Sequence, residues 1–162
     1  MLVAGFSLEN SCFFITVKAQ TGWNQQKNVG SFQGGQEITA KFSLIEAAQV
    51  INLIKANGPD VDFYHKSQNG TICSGKISFV ENEKTGGSFF FNLNKGESKL
   101  RSFLSIAEAL DLAAYLEHGR TQIYSFEDIE EDRKRQEAVK QKNQGDGFEA
   151  ETEPPPPSDL PF

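Results

Sequence analysis

Lysines and single aromatic residues recur on one side of several predicted β-strands in this chain. Side chains of a strand point alternately to its two faces, so residue parity separates those faces. In the segment FFITVK, Phe13 and Ile15 fall on one face, whereas Phe14 and Lys18 fall on the other. The segments EITAKF, DFYHK, ICSGKISF and SFFFNLN show a similar separation. We expect the apolar face to pack against helices and the mixed face to remain available for binding.

The mixed face has the chemistry needed to bind single-stranded nucleic acid. Lys and Arg attract phosphates, and flat aromatic rings stack on unpaired bases at about 1–3 kcal/mol per base. Trp23 shares a polar turn with Lys27, where core packing does not account for a tryptophan. The predicted contact residues are Phe14, Lys18, Trp23, Lys27, Lys41, Tyr64, Lys66, Lys76, Phe90 and Arg101. The pattern alone leaves two alternatives open: lysines that merely face solvent, and aromatic residues that bind a partner or a second protomer.

Residues that commonly carry catalysis or bind metals form no recognisable set in the sequence. His65 and His118 have no cysteine or carboxylate at a metal-ligand spacing. The glycines form neither a P-loop nor a dinucleotide-binding motif, and no serine or cysteine lies in a known nucleophile motif. We therefore expect no enzymatic activity, no catalytic or metal-binding residue and no cofactor.

Two predicted helices must position the strands. Each begins with Ser-x-x-Glu, at Ser43 and at Ser105, which is the signature of a capping box. Each continues with apolar residues at helical spacing, and Gly58 and Gly119 are predicted to end them. Strand-like segments with Gly and Asn turns precede both helices. The pattern predicts an α+β fold made of a duplicated antiparallel β-meander plus helix (ββββα-ββββα), with the helices on one side of the sheets.

Charge divides the chain into a neutral body and an acidic end. Residues 1–126 contain 11 basic and 11 acidic side chains, whereas residues 127–162 contain 5 and 11 and thus account for the net charge of −6. We predict a folded domain over residues 1–126, a charged helical extension over 127–143, and a disordered acidic, Pro-rich tail over 144–162. The balanced body can carry a basic face despite the acidic total.

Cysteine usage and the N-terminal segment bear on the cellular compartment. Cys12 and Cys73 are far apart and form no CxxC pair, which fits a reducing cytosol. The segment MLVAGFSLENS lacks the basic and apolar regions of a signal peptide, and no apolar run reaches the length of about 18 residues that spans a membrane. We therefore expect a cytoplasmic, nucleoid-associated protein of a bacterium or phage-infected cell, with no membrane partner.

From Lys41 to Glu117 the sequence resembles the Whirly family of single-stranded DNA-binding transcriptional regulators. The similar segments, in family order, are KFSLIEAAQVINL, VDFYHK, GKISFV, GGSFFFNL and LSIAEALDLAAYL. The resemblance implies two ββββα units that assemble as dimers or tetramers, with single-stranded DNA lying along the sheets and its bases stacked among hydrophobic and aromatic residues. The plant family's KGKAALS motif has no counterpart in the first meander, which contains GSFQGGQEITAKFSL.

The C-terminal segment SDLPF is similar to the acidic tip of bacterial single-stranded DNA-binding proteins. In that family a terminal phenylalanine and its carboxylate bind pockets on replication and repair proteins, which implies the same role for Asp159, Leu160, Pro161 and Phe162. Together the two resemblances predict a non-catalytic bacterial or phage protein that coats single-stranded DNA in replication, recombination or repair. The alternatives are an RNA-binding or transcription-regulating protein of the same fold, and a protein–protein adaptor that binds no nucleic acid.

Overall fold

The computed structural model describes residues 1–83 and 86–145, without the side chains of residues 139–145. Within these residues every strand pairing is antiparallel, which confirms the predicted α+β class. The strands are β1 (Leu2–Ser7), β2 (Cys12–Lys18), β3 (Gly22–Asn24), β4 (Val29–Ser31), β5 (Glu37–Ser43), β6 (Val61–Lys66), β7 (Ile72–Val80), β8 (Ser88–Lys95) and β9 (Ser98–Ser105). The helices are α1 (Leu44–Ala56) and α2 (Ile106–Gly145).

The described strands form three sheets. Strands β1, β2 and β5 make a three-stranded sheet, β3 and β4 a two-stranded hairpin, and β6 to β9 a four-stranded meander in chain order. The meander followed by α2 has the predicted order of four strands and one helix. The first half differs, because the predicted polar turn around Trp23 contains β3, and β1 adds an edge strand beside β2. Leu2, Ala4 and Phe6 alternate along β1 and pack against the core.

A single hydrophobic core lies against one face of each of the two larger sheets. On β8 the alternation is regular, with Phe89, Phe91 and Leu93 buried and their neighbours half-buried. Strands β2 and β5 follow the same rule, and Phe13 and Phe42, which lie directly opposite each other in the register, are fully buried. Burial of such side chains contributes about 1.5–3 kcal/mol each. The strand faces predicted to be apolar are thus the ones that the fold buries.

Helix α1 starts as predicted but ends differently. The hydroxyl of Ser43 accepts a hydrogen bond from the Glu46 backbone N–H, and the Glu46 carboxylate accepts one from the Ser43 N–H, which completes the capping box. The left-handed residue after the helix is Asn57, with φ of 50°, and not the predicted Gly58. Asparagine is one of the few non-glycine residues that tolerates this conformation, because its short polar side chain can hydrogen-bond locally.

Helix α2 also starts with its capping box, in which Ser105 and Glu108 exchange hydrogen bonds. The predicted stop at Gly119 is wrong, since the helix continues to Gly145. Gly119 is buried, and a Cβ atom there would lie 2.5 Å from the Phe13 ring and 2.9 Å from the Phe6 ring. The missing side chain therefore permits close packing of the helix on β1 and β2, and it does not end the helix.

The chain divides after Ser125 into two units. The predicted extension over residues 127–143 lies within α2, where Arg133 pairs with Glu130 and Arg135 with Glu131 at 2.8 and 2.6 Å. Of the predicted tail, residues 144 and 145 belong to α2 and residues 146–162 lie outside the described residues. Neither described helix combines the length and apolar character needed to cross a membrane.

Candidate nucleic-acid interface

The side chains of β6 to β9 that point away from the core form a mixed aromatic and polar surface, here called the outer face. Antiparallel register places these side chains in rows that cross the strands. The rows are Asp62, Lys76, Asn92 and Arg101; Tyr64, Ser74, Asn94 and Lys99; and Ser78, Phe90 and Phe103. The predicted residues Tyr64, Lys76, Phe90 and Arg101 therefore share one surface, as strand parity requires.

Aromatic rings on the outer face are open to solvent. Tyr64 is 63% exposed and Phe103 is 66% exposed, although large apolar rings usually seek burial. The ring centroids of Phe90 and Phe103 lie 6.2 Å apart. The guanidinium carbon of Arg101 lies 5.5 Å from the Phe90 centroid, and its Nε donates a hydrogen bond of 2.6 Å to Asn92. These contacts place the Arg101 cation against the Phe90 ring, which in turn packs beside the exposed Phe103 ring.

Lysine charges on the outer face are partly compensated. The Lys76 ammonium lies 2.9 Å from an Asp60 carboxylate oxygen. The hydrogen bond to Asp60, and then the negative charges of Asp60 and Asp62, raise the pKa of Lys76 above its ordinary value. Exposed ion pairs of this kind contribute little to stability, so an incoming phosphate can replace the carboxylate at small cost. Lys99, which the sequence reasoning missed, lies in the same row as Tyr64.

The three-stranded sheet places its predicted residues differently. Phe14 is half-buried and lies between Gly5 of β1 and Lys41 of β5 in the register. Lys18 pairs with Glu37 at 2.8 Å. This side of the sheet therefore offers one partly covered ring, whereas the outer face of the meander offers two exposed rings, Tyr64 and Phe103.

The β3–β4 hairpin carries Trp23 and Lys27. Trp23 is 55% exposed and lies opposite Gly30 on a sheet of its own. The Lys27 backbone N–H donates a hydrogen bond of 3.0 Å to the Asn24 side chain, which fixes the turn. Both residues are thus exposed, but they stand on a separate structural element from the outer face.

A cleft of about 610 Å³ lies between β5 and the β6–β7 hairpin. Its lining residues are Asn10, Ser11, Cys12, Thr39, Lys41, Ser43, Glu46, His65, Lys66, Ser67, Asn69, Thr71, Cys73 and Lys95. The predicted residues Lys41 and Lys66 meet there, although they come from different sheets. Lys95 and His65 join them, and sequence reasoning had no signal for this meeting because it depends on how the sheets pack.

Inside the cleft, Glu46 joins the start of α1 to β6. One carboxylate oxygen accepts hydrogen bonds of 2.8 Å from the Ser43 N–H and hydroxyl, and the other lies 2.7 Å from Nε2 of His65. Burial alone would raise the pKa of Glu46, but the hydrogen bonds from Ser43 and His65 outweigh it, so the pKa lies below its usual value. The carboxylate is therefore held in its charged form by neighbours within the protein.

The predicted contact residues thus fall in several places. Tyr64, Lys76, Phe90 and Arg101 lie on the outer face, and Lys66 connects that face to the cleft that also holds Lys41. Phe14 and Lys18 lie on the three-stranded sheet, and Trp23 and Lys27 on the hairpin. The predicted partner-binding residues Asp159, Leu160, Pro161 and Phe162 lie outside the described residues. Phe103 was missed although a signal existed, since it follows Arg101 by two residues and so shares its strand face.

Comparison with known proteins gives no match. No protein-family model matches the sequence, and no curated protein and no solved structure is significantly similar to it. Among the described residues, no three His, Cys, Asp or Glu side chains are grouped so that they could hold a metal ion. Function therefore has to be inferred from the side chains on the outer face and in the cleft.

Proposed function

We propose that this protein is a non-catalytic single-stranded DNA-binding protein and that the outer face is its main binding surface. The observation that carries the proposal is the exposure of Tyr64 and Phe103 next to the Phe90 and Arg101 pair. Exposed rings on a sheet, with cations between them, are the combination that unpaired bases and their phosphates recognise. A protein of this kind coats single strands during replication, recombination or repair in a bacterium or a phage-infected cell.

The geometry favours single strands over duplexes. The faces of the bases are accessible for stacking only when the bases are unpaired, whereas a duplex presents base edges and phosphates. In the groove of a duplex, the rings of Tyr64, Phe90 and Phe103 would find no exposed base face on which to stack. We therefore expect affinity for a single strand to exceed affinity for a duplex of the same length.

We also propose that the two halves are related copies of a Whirly-type unit. Support comes from the Ser-x-x-Glu capping box at the start of each helix, at Ser43 and Ser105, and from the four-stranded order of the second half. The β3–β4 hairpin is then an elaboration of the first half that carries Trp23 and Lys27 as additional contacts. A homodimer or homotetramer is part of this proposal, and light scattering at micromolar concentration tests it.

The C-terminal tip is proposed to recruit replication or repair proteins. This part of the proposal rests on the sequence SDLPF alone. Phe162→Ala is expected to remove most of the partner binding, because one aromatic anchor usually dominates a small interface. A pull-down that recovers the same replication proteins with Phe162→Ala as with the wild type would overturn it, while leaving the proposal for the outer face intact.

The direct test is a fluorescence titration with a dT oligomer and with duplex DNA at several salt concentrations. Tyr64→Ala is expected to weaken dT binding by about 1–3 kcal/mol, which corresponds to a factor of roughly 5 to 150. Tyr124→Ala is the matched control, because Tyr124 is 45% exposed but lies on α2. Its affinity is expected to equal that of the wild type.

Two outcomes of this titration would redirect the proposal. Absence of binding to any oligonucleotide at low salt would overturn it and favour a protein–protein adaptor. Equal losses for Tyr64→Ala and Tyr124→Ala would remove the outer face as the site. Competition between DNA and RNA oligomers of matched sequence then separates a DNA-binding protein from an RNA-binding one, because an RNA-specific site must recognise the 2′-hydroxyl.

A further inference from the structure

The cleft between β5 and the β6–β7 hairpin differs from the outer face in the kind of side chain it offers. Its lining includes Lys41, two residues before the end of β5, together with Lys66 and Lys95, the last residues of β6 and β8. The side chains come from separate strands, so the packing of the two sheets is what brings the three cations to one cavity. Convergence of like charges around a cavity has an electrostatic cost in the absence of a counter-charge.

Counter-charge for these lysines is scarce within the protein. Among the described residues, Lys18, Lys55 and Lys76 each pair with a carboxylate, whereas Lys41, Lys66 and Lys95 form no ion pair within 4.0 Å. Lys27 and Lys99, in the same folded unit but outside the cleft, also form no ion pair among the described residues, so what distinguishes Lys41, Lys66 and Lys95 is that they share one cavity. The three cleft lysines are therefore available to an external anion.

Among the described residues that line the cleft, Glu46 is the one acidic side chain. Both of its oxygens are engaged by protein donors, namely the Ser43 N–H and hydroxyl and the His65 ring. Lys95 exerts its charge within the cleft, because it opposes the rise in the pKa of the Cys73 thiol that burial causes. With the Glu46 carboxylate ionised, the described lining has three lysine charges against one carboxylate, so its formal charge is positive.

The lining also indicates which part of a nucleic acid fits. Apart from His65, its described residues include no aromatic ring, and their other neutral side chains are hydroxyls, amides and thiols. Hydroxyl and amide groups donate hydrogen bonds to phosphate oxygens, and lysine supplies the charge. Base stacking has no flat surface here comparable to Tyr64 or Phe103. The cavity suits phosphates and not bases.

Lys66 connects the cleft to the outer face. By strand parity it shares the face of Tyr64, two residues earlier on β6, and its side chain also lines the cleft. We propose that the cleft binds consecutive phosphates of the same single strand whose bases stack on the outer face. This inference rests on the proposed function and assigns the cleft as the salt-sensitive anchor of the complex.

The test compares two double variants that remove the same charge. K66Q/K95Q removes two cleft lysines, and K55Q/K134Q removes two exposed lysines on α1 and α2. Each is titrated with a dT oligomer and with an abasic strand of equal length, which keeps the phosphates and lacks the bases. On a single strand, each phosphate that a lysine neutralises adds about 0.7 to the slope of log K against log salt. Because K66Q/K95Q removes two such lysines, its slope is expected to be shallower by about 1.4.

K55Q/K134Q is expected to keep the wild-type slope. On the abasic strand, K66Q/K95Q is expected to lose at least tenfold in affinity at low salt, whereas Phe103→Ala should bind that strand as the wild type does. Far-UV circular dichroism verifies that each variant is folded. The same slope change in both double variants, or none in K66Q/K95Q while dT still binds, would overturn the cleft assignment.

The two proposals fail in distinguishable ways. If the wild type binds the abasic strand as tightly as dT, and K66Q/K95Q weakens binding to both strands, the phosphate cleft is supported and base stacking on the outer face is refuted. If K66Q/K95Q binds dT with the salt dependence of the wild type, the cleft assignment is refuted and the proposal for the outer face stands. Absence of binding to both strands at low salt refutes both proposals.

Discussion

The three-stranded sheet and the four-stranded meander resemble each other on their buried faces and differ on their exposed ones. Phe13 and Phe42 of the first sheet, and Phe91 of the second, are fully buried in one continuous core. On its other side the first sheet joins Thr16 to Thr39 by a hydrogen bond of 2.8 Å, whereas the meander exposes rings such as Phe103. Because core packing constrains the buried face more than the exposed one, the exposed face is where the two sheets can acquire different functions.

The two helices show a similar contrast. Both begin with a Ser-x-x-Glu capping box, and both bury apolar residues in the same core. Helix α1 ends at a left-handed Asn57, whereas α2 continues past Gly119, whose missing side chain accommodates the Phe13 ring. Start signals are local hydrogen bonds, whereas the local signature of a glycine stop does not by itself show whether the helix ends there.

The largest expected effect on stability comes from comparing a substitution on the buried face of the meander with one on its outer face. Phe91→Ala is expected to lower the free energy of unfolding by about 3–5 kcal/mol, since it leaves a cavity in the core. Phe103→Ala, on the neighbouring strand but 66% exposed, should change it by no more than about 0.5 kcal/mol. Urea unfolding followed by far-UV circular dichroism measures both. We expect a single transition for residues 1–125, and separate transitions for the two halves would contradict a shared core.

A smaller loss is expected for Gly119→Ala. The added methyl group meets the Phe13 ring, which is fully buried and has little room to move, at a cost of about 1–3 kcal/mol. The better helix propensity of alanine returns at most about 1 kcal/mol. Gly5→Ala is the control, because nothing lies within 4 Å of its added methyl. Thermal unfolding should show a lower Tm for the first variant alone; equal Tm values would mean that Gly119 has no packing role.

Removing the capping serine from each helix allows the stability contributions of the two capping boxes to be compared. Ser43→Ala and Ser105→Ala should each destabilise the protein by about 1 kcal/mol. The loss at Ser43 is expected to be the larger, because the Glu46 side chain is only 20% exposed, and a partly buried acceptor that loses a donor is costlier than an exposed one. Glu108 of the second box is exposed and can turn to water. Denaturant midpoints of the two variants, measured in one buffer, show which substitution destabilises the protein more. A larger loss for Ser105→Ala would contradict this prediction.

The smallest expected effect is the pH dependence of the same boxes. The hydrogen bonds from Ser43 and His65 lower the pKa of Glu46 in the folded state from an ordinary value of 4.5, against the opposing effect of burial. Hydrogen bonds from the Ser105 backbone and hydroxyl likewise lower the pKa of Glu108. The ionised carboxylates therefore stabilise the fold above pH 4.5, and this contribution is lost as the pH falls through the lower folded-state pKa values.

Glu46→Gln should reduce the change in urea midpoint between about pH 5 and pH 3, because the glutamine has no proton to gain. Glu108→Gln should have a weaker effect of the same sign. Glu137→Gln, at an exposed position of α2, provides the control and should follow the wild-type pH profile. A wild-type profile for Glu46→Gln would show that its carboxylate contributes no pH-dependent stability.

Several features of the fold and the site were predictable from residue order. The apolar alternation in FFITVK and SFFFNLN predicted the buried faces, and Ser-x-x-Glu predicted both helix starts. Parity also placed Tyr64, Lys76, Phe90 and Arg101 on one face. These features depend on neighbours within a few residues or on the strict two-residue period of a strand, and so they can be read along the chain.

Other features depended on contacts between distant segments. Gly119 has the local signature of a helix stop, yet α2 continues through it, and the Phe13 ring occupies the space that a side chain there would need. Lys41, Lys66 and Lys95 carry no common motif and meet only because β5 packs beside the β6–β7 hairpin. Sequence by itself determined which faces are buried and where helices begin, since those follow from periodicity and local hydrogen bonds. Tertiary packing alone decided how Gly119 is accommodated within α2 and how the basic cleft is assembled, since both involve side chains remote in sequence.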